Sequence, residues 1–171
     1  MPEATTSSCF VVLPAGLILL DKGENALFEI DAELGHSFPG LRRSAVLADI
    51  KHVQRLQEIF AKFRPEVVFE AAAFKHVPMM ETHPGEAVLN NVVGTRRLAE
   101  VAISYRTRTF VPISTDKAVN PSSVMGSQRG RVGERYIQAL NADPSHGETM
   151  FCAVRSGNVL GSSGLPSRVP G

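Results

Sequence analysis

The stretch Phe110-Val111-Pro112-Ile113-Ser114-Thr115-Asp116-Lys117 indicates the fold class of this chain. Its first half is apolar, as in a strand buried on both faces, and its second half places a hydroxyl, a carboxylate and an ammonium side by side. Ligands of open α/β sheets bind outside the carboxyl ends of the strands. We therefore expect a parallel strand that ends at a binding site, where Thr115, Asp116 and Lys117 could exchange protons with one substrate position. An ordinary surface ion pair preceded by helix caps is the alternative.

The same alternation of apolar strand and polar loop extends in both directions from this stretch. Short apolar runs predict strands at residues 17–20, 45–47, 67–69, 110–113 and 151–154. Helical spacing between them predicts helices at residues 25–34, 52–63, 83–105 and 124–140. Strands that alternate with helices are typical of a parallel sheet with right-handed crossovers. The predicted fold class is therefore α/β, a Rossmann-like parallel sheet with helices on both faces.

The composition indicates one soluble globular domain and argues against several kinds of partner. The chain has 171 residues, is 43% apolar and carries a net charge of +1. That balance gives no reason to expect nucleic acid or an anionic membrane as a partner. The longest apolar run, residues 9–20, contains Pro14 and follows no basic residue, so we expect neither a spanning helix nor a signal peptide. Because Cys9 and Cys152 lack metal-binding spacing, we expect a reduced, cytoplasmic protein without a metal site.

A glycine-rich turn is missing from the start of the chain. Dinucleotide-binding sheets normally open with a strand, a Gly-x-Gly-x-x-Gly turn and a helix. Residues 9–13 could form a strand, but only residues 14–16 separate it from the next one, whereas a parallel crossover needs about 10 to 12 residues. We therefore expect the first βα unit to be missing and cofactor binding to be weak. The two halves of the sheet would pair directly or through residues 9–13.

The expected organisation follows from that gap. Residues 1–13 are predicted to be an atypical tail, residues 14–164 a partial dinucleotide-binding domain, and residues 165–171 a second tail. No linker, repeat or low-complexity tract divides the central part. A single partial domain is therefore the expectation.

Acidic residues at two predicted strand ends are candidates for cofactor binding. Asp21 could accept hydrogen bonds from the adenosine ribose hydroxyls, and its carboxylate would repel a 2′-phosphate, which favours NAD over NADP. A helix cap or a solvated loop acid is the alternative for Asp21. Asp49 could meet the adenine edge or cap the helix that follows it.

Small and basic residues after the third predicted strand form a second group of candidates. Ala71 and Ala72, together with Ala73, would let a flat ligand lie against the backbone, although simple close packing explains them as well. Lys75 and His76 come next and could meet phosphate or sugar hydroxyls at the rim of a cleft. A plain surface loop is the alternative for both.

Further candidates lie on the last two predicted helices and beyond the last strand. Asn91 falls within an apolar helical stripe, so its side chain needs buried partners, and we expect it to tie the helix to a neighbouring loop such as the one at Ser114. Met125 and Arg129 are four residues apart and face the same way on a helix. Asn158 could bond a substrate phosphate or its own backbone.

Four segments, in order and at suitable distances, resemble the capsule and flagellin polysaccharide-biosynthesis family of UDP-N-acetylglucosamine 4,6-dehydratases, which are extended short-chain dehydrogenases. The segments are Asp21-Lys22-Gly23-Glu24-Asn25-Ala26-Leu27, Ala71-Ala72-Ala73-Phe74-Lys75-His76-Val77-Pro78, Ser114-Thr115-Asp116-Lys117-Ala118-Val119-Asn120-Pro121 and Gly157-Asn158-Val159-Leu160-Gly161-Ser162-Ser163-Gly164. The match runs over residues 14–164, and four long motifs in order are far more specific than a lone glycine pattern.

The resemblance implies a reaction on a UDP-sugar. In this family, bound NAD takes a hydride from C4 of the sugar, water is eliminated across C5 and C6, and the hydride returns to C6 to give a 4-keto-6-deoxy sugar. By the same resemblance, Thr115, Asp116 and Lys117 handle the sugar hydroxyls and the elimination. Asp116 is expected to be the acid at the C6 hydroxyl and Lys117 the base at C5. A homo-oligomer is compatible with the resemblance.

The chain departs from the family pattern at several positions. Met125 stands where many relatives have the Tyr of Tyr-x-x-x-Lys. The long-form, membrane-anchored branch of the family also has Met at this position. Arg129 replaces the Lys. Glu70 stands where a His is usual, and Ser156 stands where an aromatic is usual. A C-terminal substrate lobe is expected to be absent, and the isolated chain is expected to be weak or inactive.

Two alternatives to a dehydratase stay open on the sequence. A nucleotide-sugar 4-epimerase shares the oxidation at C4, but it needs no acid for C6. A non-catalytic remnant of the family would fit the missing glycine turn and Arg129.

Overall fold

The computed structural model of the protein describes residues 15–72, 74, 76–115, 132–143 and 147–156. The chain divides into two compact units, Met1–Asp49 and Ile50–Gly171. The β-strands of the two units belong to separate sheets within the described ranges.

The first unit is a β-α-β segment with two parallel strands. Its elements are β1 (Leu17–Asp21), α1 (Glu24–Ser37) and β2 (Arg43–Leu47). The strands are paired in parallel up to Asp21 opposite Leu47, so both carboxyl ends lie at one edge of this sheet. Its buried apolar side chains, within the described residues, are Leu27, Val46 and Ala48. This unit therefore has a small core.

The second unit contains a parallel sheet and the longer run of helices. Its elements in chain order are α2 (Val53–Phe63), β3 (Val67–Glu70), α3 (Val77–Thr82), α4 (Pro84–Val88), a π-helical segment (Leu89–Gly94), α5 (Thr95–Ser104), β4 (Thr109–Thr115), α6 (Glu134–Ala142), β5 (Met150–Phe151) and β6 (Val154–Ser156). Strand β4 is central, because β3 pairs with it in parallel and both β5 and β6 also pair with it in parallel.

Strand β4 contains a proline that interrupts its pairing with the last strands. Met150 N donates to Arg108 O at 2.9 Å, and Cys152 N donates to Phe110 O at 3.0 Å, so the even-numbered residues of β4 face β5. Pro112 therefore faces the same edge, where it has no N–H to donate. Strands β5 and β6 keep one register along β4 and are separated opposite Pro112. The break in pairing follows from that missing donor.

The core of the second unit lies around β4, α2 and α5. Phe110 of β4 is fully buried, and its ring centroid lies 5.5 Å from that of Phe151 in β5. Leu56 of α2 is also fully buried, as are Ala99 and Ala102 of α5. Small side chains on α5 let neighbouring elements approach closely, which is how this helix buries its apolar face.

The α/β class with parallel strands flanked by helices is confirmed, with differences in the elements. The helix predicted at residues 83–105 consists of α4, the π-helical segment and α5 in succession. Helix α3 was not predicted, since residues 77–82 fell between the predicted strand at 67–69 and the predicted helix at 83–105, and Pro78 lies in its first turn, which suits proline. Strand β4 continues through Ser114 and Thr115, which were predicted to lie in the following loop. The strand predicted at residues 151–154 is divided between β5 and β6.

Two sequence expectations concern residues that the structure does not describe. Residues 9–13 lie outside the described ranges, as do residues 124–131 of the last predicted helix.

Candidate functional site

Most buried polar side chains described in the second unit gather at the carboxyl ends of β3 and β4. They are Glu70, Asn90, Asn91, Thr95, Ser114 and Glu134. All of them except Asn90 line a cavity of about 10 Å³, which is about the room that one water molecule needs. Because β3 and β4 are parallel, their carboxyl ends meet at one edge, which is where open α/β sheets bind ligands.

Asn91 holds the loop that follows β3. Its Oδ1 accepts a hydrogen bond from Phe74 N at 2.9 Å, and its Nδ2 donates to Phe74 O at 3.1 Å. One amide side chain thus pairs with both backbone groups of a loop residue, as a neighbouring strand would. The predicted tie between Asn91 and a loop is confirmed, but the partner is the loop after β3. The suggested partner at Ser114 was wrong, because Ser114 lies within β4.

Asn90 reaches the same loop from the next position along the chain. Its Nδ2 donates to Ala72 O at 2.7 Å and to Asn91 Oδ1 at 3.1 Å. Consecutive residues of an ordinary α-helix point about 100° apart. Both asparagines belong to the π-helical segment, whose wider turn is frequent at functional sites. Asn90 was not among the predicted site residues, although the sequence shows it next to Asn91.

Glu70 and Thr95 join β3 to α5 beneath this loop. The Glu70 side chain is 1% exposed, and its Oε2 accepts a hydrogen bond from Thr95 Oγ1 at 3.3 Å. Thr95 Oγ1 also lies 3.1 Å from Asn91 O. A buried carboxylate needs such donors. The residue that departs from the family pattern at the end of β3 is therefore part of the buried polar cluster.

Glu134 and Arg155 form an ion pair at the other side of the cavity. Arg155 Nε lies 2.8 Å from Glu134 Oε1 and Arg155 Nη2 lies 2.6 Å from Glu134 Oε2, a bidentate geometry that is strong and directional. The bonds from Arg155 lower the pKa of the Glu134 carboxyl despite its burial, and the nearby Ser114 hydroxyl lowers it further. Glu134 is thus held as a carboxylate beside the end of β4. Neither residue of this pair was among the predicted site residues.

The carboxyl ends of β1 and β2 carry the acidic candidates of the first unit. Asp21 is exposed, and its Oδ1 accepts a hydrogen bond from Gly23 N at 2.7 Å. Ala48 N donates to Asp21 O at 3.0 Å, which extends the pairing of the two strands beyond β2. Asp49 follows directly and is half-buried. Both carboxylates therefore belong to the same edge of the first sheet, as the strand ends predicted.

The structure describes part of the predicted set of site residues. Thr115 is the last residue of β4 and is half-buried, His76 is exposed and precedes α3, and Ala71 and Ala72 are exposed after β3. Small exposed residues at a strand end leave room for a flat ligand. The predicted site residues outside the described ranges are Lys75, Asp116, Lys117, Met125, Arg129 and Asn158. Among the described helices, none is long and apolar enough to cross a membrane.

The strands and helices define a Rossmann-like α/β protein, and solved structures of that class superpose on it. One of them, Pen from Bacillus thuringiensis, aligns with a TM-score of 0.80 and 29% identity over 89% of this chain and 46% of that chain. The sequence matches the family described as "Polysaccharide biosynthesis protein" over residues 3–170, and the chain belongs to that family.

Curated relatives extend the comparison. The capsular polysaccharide biosynthesis protein CapD of Staphylococcus aureus is 47% identical over 88% of this chain and 25% of its own length. A UDP-glucose 4-epimerase of Rickettsia rickettsii is 36% identical over 69% of this chain and 34% of its own length. The chain thus spans a quarter to a third of the length of these two relatives.

Proposed function

We propose that this chain carries part of an NAD-dependent nucleotide-sugar 4,6-dehydratase that acts on a UDP-N-acetylglucosamine-type sugar in polysaccharide biosynthesis. The observation that carries the proposal is Thr115, which is half-buried as the last residue of β4 and is followed in sequence by Asp116 and Lys117. A hydroxyl, an acid and a base at a strand end are the groups that an elimination requires. Membership of the polysaccharide biosynthesis family and the likeness to CapD support a role in polysaccharide biosynthesis.

The cofactor candidates of each unit lie at that unit's own strand ends. Asp21 would accept bonds from the adenosine ribose, Asp49 would meet the adenine edge, and Ala71 and Ala72 would lie against a flat ring. Lys75 and Arg129 complete this set of candidates, and Asn91 supports it by holding the loop at Phe74. When bound, NAD would supply a hydride acceptor for C4 of the sugar and a hydride donor for C6.

The sugar half of the proposed site handles protons. Asp116 would protonate the C6 hydroxyl as it departs as water, and Lys117 would remove the proton from C5. Thr115 would bond a sugar hydroxyl, while Met125 would lie where many relatives have a tyrosine. The substrate candidates His76 and Asn158 would contact the UDP-sugar itself.

A product assay tests the proposal. The chain is incubated with NAD and UDP-N-acetylglucosamine, and mass spectrometry follows the loss of one water and the gain of a keto group. The isosteric substitution Thr115→Val is expected to reduce product formation about 100-fold, as the loss of one group that takes part in proton transfer does. Thr109→Val, at the amino end of the same strand, is the matched control and is expected to leave the rate unchanged.

A second candidate function is a nucleotide-sugar 4-epimerase, which the similarity to the Rickettsia rickettsii enzyme favours. An epimerase would give a product of unchanged mass with inverted configuration at C4. Its formation would refute the dehydratase, and Asp116→Asn would then have little effect because no C6 hydroxyl leaves. Calorimetric titration with NAD addresses the third possibility, since a chain without measurable NAD binding would be a non-catalytic remnant.

A further inference from the structure

Two residues of the loop between β3 and α3, Ala72 and Phe74, have backbone groups that are held by two successive asparagines. Asn91 engages Phe74 N and O, while Asn90 engages Ala72 O. Both asparagine side chains are nearly fully buried, at 3% and 1% exposure for Asn90 and Asn91 respectively. Buried amide groups keep one orientation when each atom has a partner of the right kind. The loop geometry therefore depends on how the two amides are oriented.

Asn90 determines the orientation of the Asn91 amide. The Asn91 oxygen accepts from both Phe74 N and Asn90 Nδ2, and its nitrogen donates to Phe74 O. A rotation of the Asn91 amide by 180° would bring its NH₂ group against the NH₂ group of Asn90 and against Phe74 N. The Asn90 donor therefore disfavours the rotated form and keeps Asn91 paired correctly with the loop.

We infer that Asn90 is a positioning residue for the ligand-binding loop at residues 71–76, acting through Asn91 and through Ala72 O. The inference rests on the proposed function in one respect, since that function gives Ala71, Ala72 and Lys75 their role in cofactor binding. Asn90 touches neither cofactor nor sugar in this scheme. It sets the position of the backbone from which the loop residues act.

Amide hydrogen exchange at Phe74 tests the positioning without any ligand. Asn90→Asp keeps the size of the side chain but replaces the donor by an acceptor that faces two oxygen atoms, Ala72 O and Asn91 Oδ1. We expect exchange at Phe74 N to become at least about tenfold faster, the effect of losing roughly one hydrogen bond. Asn90→Ala removes the donor without adding an acceptor and serves if the Asp variant does not fold. Unchanged protection of Phe74 N would overturn the inference.

The chain offers a control with the same chemistry at another place. Asn141 of α6 binds Phe151 in β5 in the same manner, with Nδ2 donating to Phe151 O at 2.6 Å and Oδ1 accepting from Phe151 N at 3.1 Å. Asn141→Ala should therefore lower stability by a comparable amount without disturbing the loop. We expect it to leave exchange at Phe74 unchanged, and equal acceleration in this variant would assign the effect to general destabilisation.

Calorimetric titration with NAD extends the test to ligand binding. We expect Asn90→Asp to weaken NAD binding about tenfold, the equivalent of roughly one hydrogen bond, whereas Asn141→Ala keeps the wild-type affinity. Equal loss of affinity in both variants would overturn the positioning role. If the wild-type chain binds no NAD, the proposed function fails while the exchange measurement still decides whether Asn90 fixes the loop.

Discussion

The strand ends of the two units are built in different ways. At the ends of β1 and β2, Asp21 is exposed and bonds a backbone group two residues away. At the ends of β3 and β4, buried side chains bond groups far along the chain, as Asn91 does with Phe74 and Glu134 does with Arg155. Substitutions at the ends of β1 and β2 should therefore cost little stability. The side chains at the ends of β3 and β4 are part of the core. Asp21 in the first unit is thus exposed and locally bonded, whereas Asn91 and Glu134 in the second are buried and bonded to distant parts of the chain.

The largest expected effect on the free energy of unfolding comes from truncating a buried side chain in the core of each unit. Phe110→Ala should lower the free energy of unfolding by about 3–5 kcal/mol, because it removes a fully buried ring from the central strand. Leu27→Ala in the small core of the first unit should cost about 2 kcal/mol, near the lower limit for such a change. Urea unfolding followed by circular dichroism measures both. A cost at Leu27 as large as that at Phe110 would remove the difference between the units.

A smaller effect is expected from the charge of Glu134. Its pKa is lowered in the folded state, chiefly by the bonds from Arg155, so its contribution to stability is present above about pH 4.3, the ordinary pKa of a glutamate. That contribution is lost as the pH falls through the lowered pKa. Glu134→Gln should therefore be less stable than the wild type at pH 7, and the difference should shrink on acidification. If the stabilities of the wild type and Glu134→Gln differ by the same amount from pH 7 to pH 3, the charge of Glu134 is not the cause of the difference.

Overpacking of the π-helical segment at Gly94 should lower the free energy of unfolding by about 1 kcal/mol. A Cβ atom added at Gly94 would lie 2.7 Å from Ile50 Cδ1 and 2.9 Å from Ile50 Cγ1, so Gly94→Ala introduces overpacking that costs about 1–3 kcal/mol. The better helix propensity of alanine offsets about 1 kcal/mol of that cost. Adding Ile50→Val removes the Cδ1 atom but keeps Cγ1, so it should relieve part of the clash, and Gly94→Ala should cost less in that background than in the wild type. No recovery in the double variant would show that the contact is not the cause.

The smallest effect on stability is expected at Asp21. Asp21→Asn keeps an oxygen that can accept from Gly23 N, and the side chain is exposed, so thermal unfolding should change by less than about 0.5 kcal/mol. In the proposed function the same substitution weakens NAD binding by removing the charge near the ribose, which a parallel titration measures. A large loss of stability would show that this strand end is also structural.

The sequence predicted those parts of the molecule that depend on local patterns. Alternating apolar runs indicated the parallel strands, and strand ends indicated Asp21 and Thr115, because period and position along the chain carry that information. The hydrogen bond from Asn90 to Ala72 spans 18 positions, and that from Arg155 to Glu134 spans 21. Such partners depend on three-dimensional packing, so only the need of Asn91 for some partner could be foreseen, and the identity of the loop could not.

The division of the last strand has a similar origin. Nothing in residues 151–154 indicates a break, because its cause is Pro112 on the neighbouring strand. Pairing between strands must be known before the missing donor can be located. The helical residues 77–82 were overlooked for a different reason, since proline is compatible with either a loop or a first turn.

Because pairing is interrupted opposite Pro112, α6 also links the two strands β5 and β6 on either side of the interruption. Near its first turn, Glu134 grips Arg155 of β6, and near its last turn, Asn141 grips Phe151 of β5. Helix α6 thus bonds to both pieces of the divided strand, β5 and β6, on either side of the interruption. Loosening either end of α6 would release only the piece that it holds, so the two halves of this strand can be weakened separately.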